Sequence, residues 1–221
     1  MSKNEEKLLV CMPTYHSKIE WIKRAVDSLQ KQVYSNFDCY LIKDGCKKAC
    51  DLNTCLECEN CEETIDFCSD IKDNRFHFYI LPIHSSGAGW GPRNFAILNT
   101  SHPLIAYLDD DNWYEPDHLQ ALYEAIKKDD ADLAYTGTRL INSELKVIGE
   151  RIHPYAPQAG FIDTSEILHK RSLIDKYGGW RYVKKGNDWD IVSRWKDVKW
   201  THTNKITLNF YLREGCGIHR E

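Results

Sequence analysis

Residues 104–108, Leu-Ile-Ala-Tyr-Leu, form an apolar run that stops at Asp109-Asp110-Asp111 and continues as Asn112-Trp113-Tyr114-Glu115-Pro116. An apolar run this short reads as a buried strand. Glu115-Pro116 reads as the opening of the next helix, with Pro116 in the first turn, where its missing N–H leaves no bond unmade. The three carboxylates then sit at the C-terminal end of a buried strand, the place where open α/β sheets bind ligands. Carboxylates this close raise one another's pKa unless a cation or hydrogen-bond donors compensate, and a hard divalent metal holding a diphosphate answers that need. The helix macrodipole accounts for one acidic residue at such a position; three in succession favour the metal.

The rest of the chain supplies the sheet to which this strand belongs. Apolar runs at residues 8–12, 37–42, 76–81 and 133–138 alternate with segments of helical spacing. One such segment has Ile22, Ala25, Val26 and Leu29 on one face behind a capping Ser17, and another runs over residues 116–128 with Leu119, Leu122, Ala125 and Ile126. This alternation predicts a mostly parallel central sheet with right-handed crossovers, flanked by helices. Beyond Thr138 the rhythm shortens, with small strands around 139–141 and 147–148, a helix at 172–177 ended by Gly178-Gly179, and a helix at 188–195. At 221 residues the chain is read as one domain, with a nucleotide-binding part over residues 1–138 and an acceptor-binding part over 139–221.

The net charge of −4, from 29 basic against 33 acidic residues, gives no global field that recruits nucleic acid or an anionic membrane. The charged first residues and the absence of a long apolar stretch predict a protein with no membrane span, in the cytoplasm.

Two further segments share the expected ligand edge with the triplet, so that three separated sites converge. Pro13-Thr14-Tyr15 follows the first strand and Lys43-Asp44-Gly45 the second. Asp44 before a glycine is an ordinary turn residue, yet in a nucleotide site its carboxylate accepts from a pyrimidine N–H. Gly87-Ala88-Gly89-Trp90-Gly91-Pro92-Arg93-Asn94 is a glycine-rich loop that can bring backbone N–H groups toward an anion, with Arg93 facing phosphate, Asp109 or solvent. In Asn187-Asp188-Trp189-Asp190, the spacing of Asp190 and Arg194 pairs them on one helix face, which leaves Asp188 as the freer carboxylate and the better general base.

Taken in order, Pro13-Thr14-Tyr15, Lys43-Asp44-Gly45, Gly91-Pro92-Arg93-Asn94, the acidic triplet with Pro116, and Asn187-Asp188-Trp189-Asp190 resemble the motifs of inverting GT-A glycosyltransferases of the family 2 type, over roughly residues 8–195. The resemblance implies a Rossmann-like GT-A domain that moves a sugar from a nucleotide sugar, expected to be a UDP-sugar, to a hydroxyl on a glycan, a lipid-linked molecule or a small acceptor. It implies that Pro13, Thr14, Tyr15 and Asp44 hold the nucleoside, that Asp109 or Asp110 meets the ribose, and that Arg93 and Asn94 line the donor site. Asp111 would carry Mn²⁺ or Mg²⁺ as part of the family's DXD-type motif. Asp188 would match the base of the family's Glu-Asp pair, with Asn187 where the Glu stands. A late histidine often completes the metal site in such enzymes; His202 and His219 are the candidates, and His219 is preferred.

Residues 46–72 carry six of the nine cysteines, Cys46, Cys50, Cys55, Cys58, Cys61 and Cys68. Cys55, Cys58 and Cys61 have knuckle-like spacing that Cys50 or Cys68 could complete, so this Cys-rich insertion after the second strand is expected to bind a structural Zn²⁺, with an iron–sulfur cluster or plain thiols as alternatives. Two other functions compete with glycosyl transfer. A nucleotidyltransferase also uses metal-binding carboxylates on such a sheet, but Pro13-Thr14-Tyr15-His16 lacks its glycine-rich basic loop. A catalytically weak nucleotide-sugar-binding module is favoured only by Asn187.

Overall fold

The computed structural model describes residues 5–46 and 61–213. Its core is a nine-stranded sheet with helices on both faces. The strands are β1 (Leu8–Thr14), β2 (Phe37–Lys43), β3 (Phe76–Ile80), β4 (Leu104–Tyr107), β5 (Trp113–Tyr114), β6 (Leu133–Ile141), β7 (Val147–Arg151), β8 (Ile167–Lys170) and β9 (Trp200–Tyr211). The helices are α1 (Ile19–Gln30), α2 (Cys61–Ser69), α3 (Trp90–Leu98), α4 (His118–Asp129), α5 (Ser172–Tyr177) and α6 (Asn187–Arg194), with a 3₁₀ turn at Thr164–Glu166.

The order is β3-β2-β1-β4-β8-β6-β9-β5, with β7 also on β6. Parallel pairing joins β1 to β2 and β4, β2 to β3, and β6 to β9. Antiparallel pairing joins β8 to both β4 and β6, β5 to β9, and β7 to β6. The sheet is therefore mixed, which corrects the mostly parallel expectation. The reason is β8, a four-residue strand that enters between β4 and β6 in the reverse direction.

Strand alternation divides the core. Leu8, Val10 and Met12 of β1 and Leu104, Ala106 and Leu108 face α1 and α4, packing on Ile22, Val26, Leu29, Leu119, Leu122 and Ile126. Leu9, Cys11, Ile105 and Tyr107 face the other way, onto Ala96, Ile97, Leu173, Ile191 and Val192 of α3, α5 and α6. Burial on both faces is what made these strands readable as continuous apolar runs.

Several boundaries differ from expectation. Helix α4 starts at His118, two residues beyond Pro116, because Trp113–Tyr114 pair with β9 and hold the preceding chain extended. Ser17 does not cap α1; Lys18 occupies that position with no side-chain hydrogen bond, and Ser17 is turned to Asp110. Gly178 closes α5 at φ 83°, as the sequence indicates. Arg194 bonds the carbonyls of Tyr177, Gly178 and Gly179 and pairs with Asp190 at 3.3 Å.

Residues 47–60, with Cys50, Cys55 and Cys58, lie outside the described residues. Cys61 starts α2, buried, with its sulfur 3.8 Å from Cys46 and Lys43 Nζ 3.6 Å from Cys46 Sγ. Among the described residues no group of three metal-ligating side chains assembles, so the zinc expectation at Cys61 gains no support there. Among the described residues no helix is long and apolar enough to cross a membrane.

Candidate active site

Because β1, β2 and β4 run parallel, their C-terminal ends share one edge, and β8, running against them, begins at that same edge. The segments leaving these ends enclose an open cleft of about 640 Å³, lined by Pro13, Thr14, Tyr15, Asp44, Arg93, the Asp109–Asp110–Asp111 triplet and Asp188 among others. Five separated motifs thus meet around one volume.

At one end stands Asp44, buried, with each carboxylate oxygen engaged. Oδ1 accepts from the N–H groups of Gly45 (3.1 Å) and Ser85 (3.0 Å), and Oδ2 accepts from Ser85 Oγ (2.8 Å) and lies 2.9 Å from His84 Nδ1. His84 stacks on Tyr15 with ring centres 3.9 Å apart, leaving two parallel aromatic faces beside the carboxylate. Gly45 is required here, since a Cβ would fall 2.4 Å from the backbone of Ile83.

The glycine-rich segment turns sharply into α3. Gly89 holds φ 73° at the helix start, and a Cβ there would meet Pro13 at 3.0 Å. Arg93, 3% exposed, reaches back to the carbonyl of Ala88, forward to Asp109 Oδ1 at 2.5 Å, and lies over the Trp180 ring. Of the two partners open to Arg93, the carboxylate is the one it has. Asn94 is not part of the cleft lining: its amide donates to Trp180 O and accepts from Trp180 N–H, both at 2.9 Å, pinning the segment before α6. The expectation that Asn94 contacts the donor is corrected on that ground.

The triplet turns tightly, with Asn112 N–H on Asp109 O. Its carboxylates separate into different environments. Asp109 pairs with Arg93. Asp111 Oδ2 accepts from Arg213 Nε at 2.5 Å. Asp110 is held by Ser17 and Thr14, its Oδ2 is buried without a partner among the described residues, and burial pushes its pKa up to about 6 against the pull of those two hydroxyls. Burial raises Asp111 as well, with Arg213 working against the rise.

Asp110 and Asp111 together offer hard oxygen donors, and the orphaned Asp110 oxygen is what a cation would satisfy. This set fits Mn²⁺ or Mg²⁺, with remaining positions left to water or ligand phosphate. His202 does not join it. Its ring packs edge-on to Tyr135 and bonds Asn204, outside the cleft lining, which removes it as a ligand. His219 lies outside the described residues.

Opposite the triplet, α6 begins at Asn187 after Gly186, which takes φ 70°. Asp188 Oδ1 accepts from Trp189 N–H at 2.8 Å. Burial raises its pKa, the Trp189 N–H pulls part of that back, and the charge of Asp109 adds to the rise. A carboxylate moved up in this way is a better proton acceptor.

Three participants carry no role in the sequence reading. Asp163 comes from the turn before β8, where Ser165 N–H donates to it and its own N–H donates to Glu166 Oε2, a reciprocal capping box. The pattern Asp163-Thr164-Ser165-Glu166 before an apolar pair is a readable signal for such a turn. Burial, followed by the charges of Asp109, Glu166 and Asp188, raises the pKa of Asp163 strongly. Ser165 Oγ accepts from Asp109 N–H, which ties this turn to the triplet. Arg213 and His84 had no local signal, since an arginine after a polar strand and a histidine in a loop look like surface residues.

Comparison with known proteins follows this geometry. The family model described as glycosyl transferase family 2 matches residues 9–192. The O-antigen biosynthesis glycosyltransferase WbnJ of Escherichia coli is 22% identical over 208 residues, 89% of this chain and 76% of that protein. Glycosyltransferase GlyA of Streptococcus pneumoniae is 28% identical over 131 residues, 59% of this chain and 16% of GlyA. The solved structure of S. aureus TarS 1-349 in complex with UDP-GlcNAc matches with a TM-score of 0.69 at 15% identity, covering 97% of this chain and 60% of that one. The chain therefore spans a minor part of GlyA and about three-fifths of the TarS fragment. At this identity TarS speaks for the fold, a GT-A arrangement with a mixed sheet. With the family model matching most of its length, the chain belongs to glycosyl transferase family 2.

Proposed function

We propose that the chain transfers a sugar from a UDP-linked donor to a hydroxyl acceptor with inversion at the anomeric carbon. The observation that carries this reading is the meeting of Asp44 with Tyr15, the acidic triplet, and Asp188 around one cleft. UDP-GlcNAc in the TarS structure makes a uridine donor a reasonable first choice. In this reading the base stacks by Tyr15 with its ring N–H on Asp44, residues 1–138 hold the nucleotide, and residues 139–221 take the acceptor. Mn²⁺ or Mg²⁺ at Asp111, with Asp110, would supply charge neutralisation at the diphosphate.

The residues then act as follows. Asp188, with its raised proton affinity, accepts the proton of the acceptor hydroxyl. The oxygen forms its bond to the anomeric carbon from the face opposite the nucleotide, and the carbon–oxygen bond to the diphosphate breaks, releasing UDP. Arg213 beside Asp110 and Asp111 adds positive charge where the leaving group departs. Arg93 keeps Asp109 oriented and out of competition for the proton. The proposed setting is the cytoplasm, where buried thiols such as Cys11 and Cys39 stay reduced.

The test is UDP release measured over a panel of UDP-sugars with Mn²⁺ and hydroxyl acceptors, alongside calorimetric binding of UDP. Binding of UDP and release that needs Asp188 support the function. A protein that binds neither UDP nor any UDP-sugar refutes it.

A further inference from the structure

Asn187 is left without a role by the mechanism above, although it adjoins the base. It lines the cleft, is 6% exposed, and neither its amide nitrogen nor its amide oxygen has a hydrogen-bond partner among the described residues. Buried side-chain amides are as a rule satisfied, so one that is open on both atoms and borders a cleft is waiting for a partner that arrives with the ligand. Asp163 and Thr164 line the same cleft from the turn before β8. That turn is rigid, because its own backbone and side chains close the capping box and Glu166 is anchored by Arg151 at 2.8 Å.

The chemistry of the expected partner follows from this set. Asn187 offers one donor group and one acceptor, and Asp163 offers an acceptor. An anion is excluded by Asp163, Asp188 and Asp109 crowding one region. A cation would use the amide oxygen and leave the NH₂ unmet. A pair of neighbouring hydroxyls satisfies all of it, since each hydroxyl donates one hydrogen bond and accepts others.

We propose that Asn187 and Asp163 form a subsite for the vicinal diol of a sugar ring, a specificity-determining pair beside the base. This rests on the glycosyl-transfer reading. A glutamate at 187 would bring acceptors and a charge; the asparagine brings a donor, and Asp163 supplies the carboxylate from another element. The ring belongs either to the transferred sugar or to the acceptor, and the two are separable by experiment.

Wild type, Asn187→Ala, Asn187→Asp and Asp163→Asn are compared by calorimetry with UDP, UDP-glucose, UDP-galactose and UDP-GlcNAc in Mn²⁺, and by UDP-release kinetics with methyl glucoside and methyl galactoside as acceptors. If the diol is the donor's, Asn187→Ala weakens the UDP-sugar by about tenfold or more while UDP itself binds as in wild type. If it is the acceptor's, UDP-sugar binding is kept and the acceptor KM rises by about tenfold or more, with kcat nearly unchanged. Because the amide makes no bond among the described residues, Asn187→Ala melts at or above the wild-type temperature. Melting several degrees lower shows a structural amide and overturns the proposal. So do variants whose UDP-sugar affinity and acceptor KM stay within twofold of a wild type that binds and turns over. A wild type that binds no UDP-sugar overturns the glycosyl-transfer reading, and the subsite with it.

Discussion

Replacing Asp109 with alanine strips Arg93 of its carboxylate while leaving the guanidinium where it is. The Arg93 side chain is 4% exposed and that of Asp109 29%. Removing one partner of a buried ion pair costs about 3–5 kcal/mol, because the remaining charge stays desolvated. Asp109 is partly open to water, so the lower end applies, ~3 kcal/mol. For a chain of this size each kcal/mol moves the melting temperature by roughly 2–4 °C, which gives a fall of roughly 6–12 °C. Differential scanning calorimetry of Asp109→Ala, Arg93→Met and the double variant measures it. The double variant should recover most of the loss, since it removes the uncompensated charge along with its partner. Single-variant losses that add within about 0.5 kcal/mol in the double variant would show the pair to be energetically independent and refute the reasoning. The same cycle distinguishes a scaffold role for Asp109 from a ribose contact, because a ligand contact leaves the ligand-free melting temperature alone.

Other outcomes follow from the same structure. Asp188→Asn should lose roughly 10²–10⁴-fold in transfer while UDP-sugar affinity stays within a few-fold, and transfer at the wild-type rate would remove Asp188 as the base. Gly45→Ala forces a Cβ against the Ile83 backbone and should cost about 1–3 kcal/mol while weakening UDP, because Asp44 and His84 shift with it; unchanged UDP affinity would contradict the assigned base end. His118 is fully buried, and burial lowers its pKa to about 3. Its folded form stays neutral while the unfolded imidazole protonates near 6.5, so its stability contribution is whole above that pH and is lost as pH falls below it. By pH 4.5, two units below the unfolded value, the loss reaches ~2.7 kcal/mol at 1.36 kcal/mol per unit. Melting curves of His118→Phe should therefore decline less steeply with acidification than wild type, against the opposite trend set by Asp110, and equal slopes would disprove the linkage.

The readable part of this fold is the part whose residues are decided locally. β1, β2 and β4 are buried on both faces, so their apolar runs need no knowledge of neighbours. β8 is Ile-Leu-His-Lys, too short and mixed to stand out, and its reversed direction depends on β4 and β6 being already in place. β9 reads as Thr- and Asn-rich polar sequence because part of it is exposed, although β6 pairs along much of its length. At the site, the ends of strands gave Thr14, Asp44 and the triplet, since topology alone gathers them. Asn94 misled because a polar residue beside a glycine-rich loop looks like a ligand contact, whereas its partner is a backbone 86 residues away. Arg213 joins the triplet from 102 residues away, a distance over which no spacing rule operates.

The reversed strand has a consequence for how such a protein can change. Neighbouring strands deliver Thr14, Asp44 and the acidic triplet by their exits, whereas β8 delivers Asp163 and Thr164 by its entrance. The loop leading into that entrance, residues 152–163, is clamped at both margins, by Tyr135 on the carbonyl of His153 and by Arg151 on Glu166. Its interior can lengthen, shorten or be exchanged while the clamps hold, and the half of the cleft built on the other strands is untouched. If Asp163 binds a sugar diol as proposed, selectivity for one sugar over another rests on an independently mutable module.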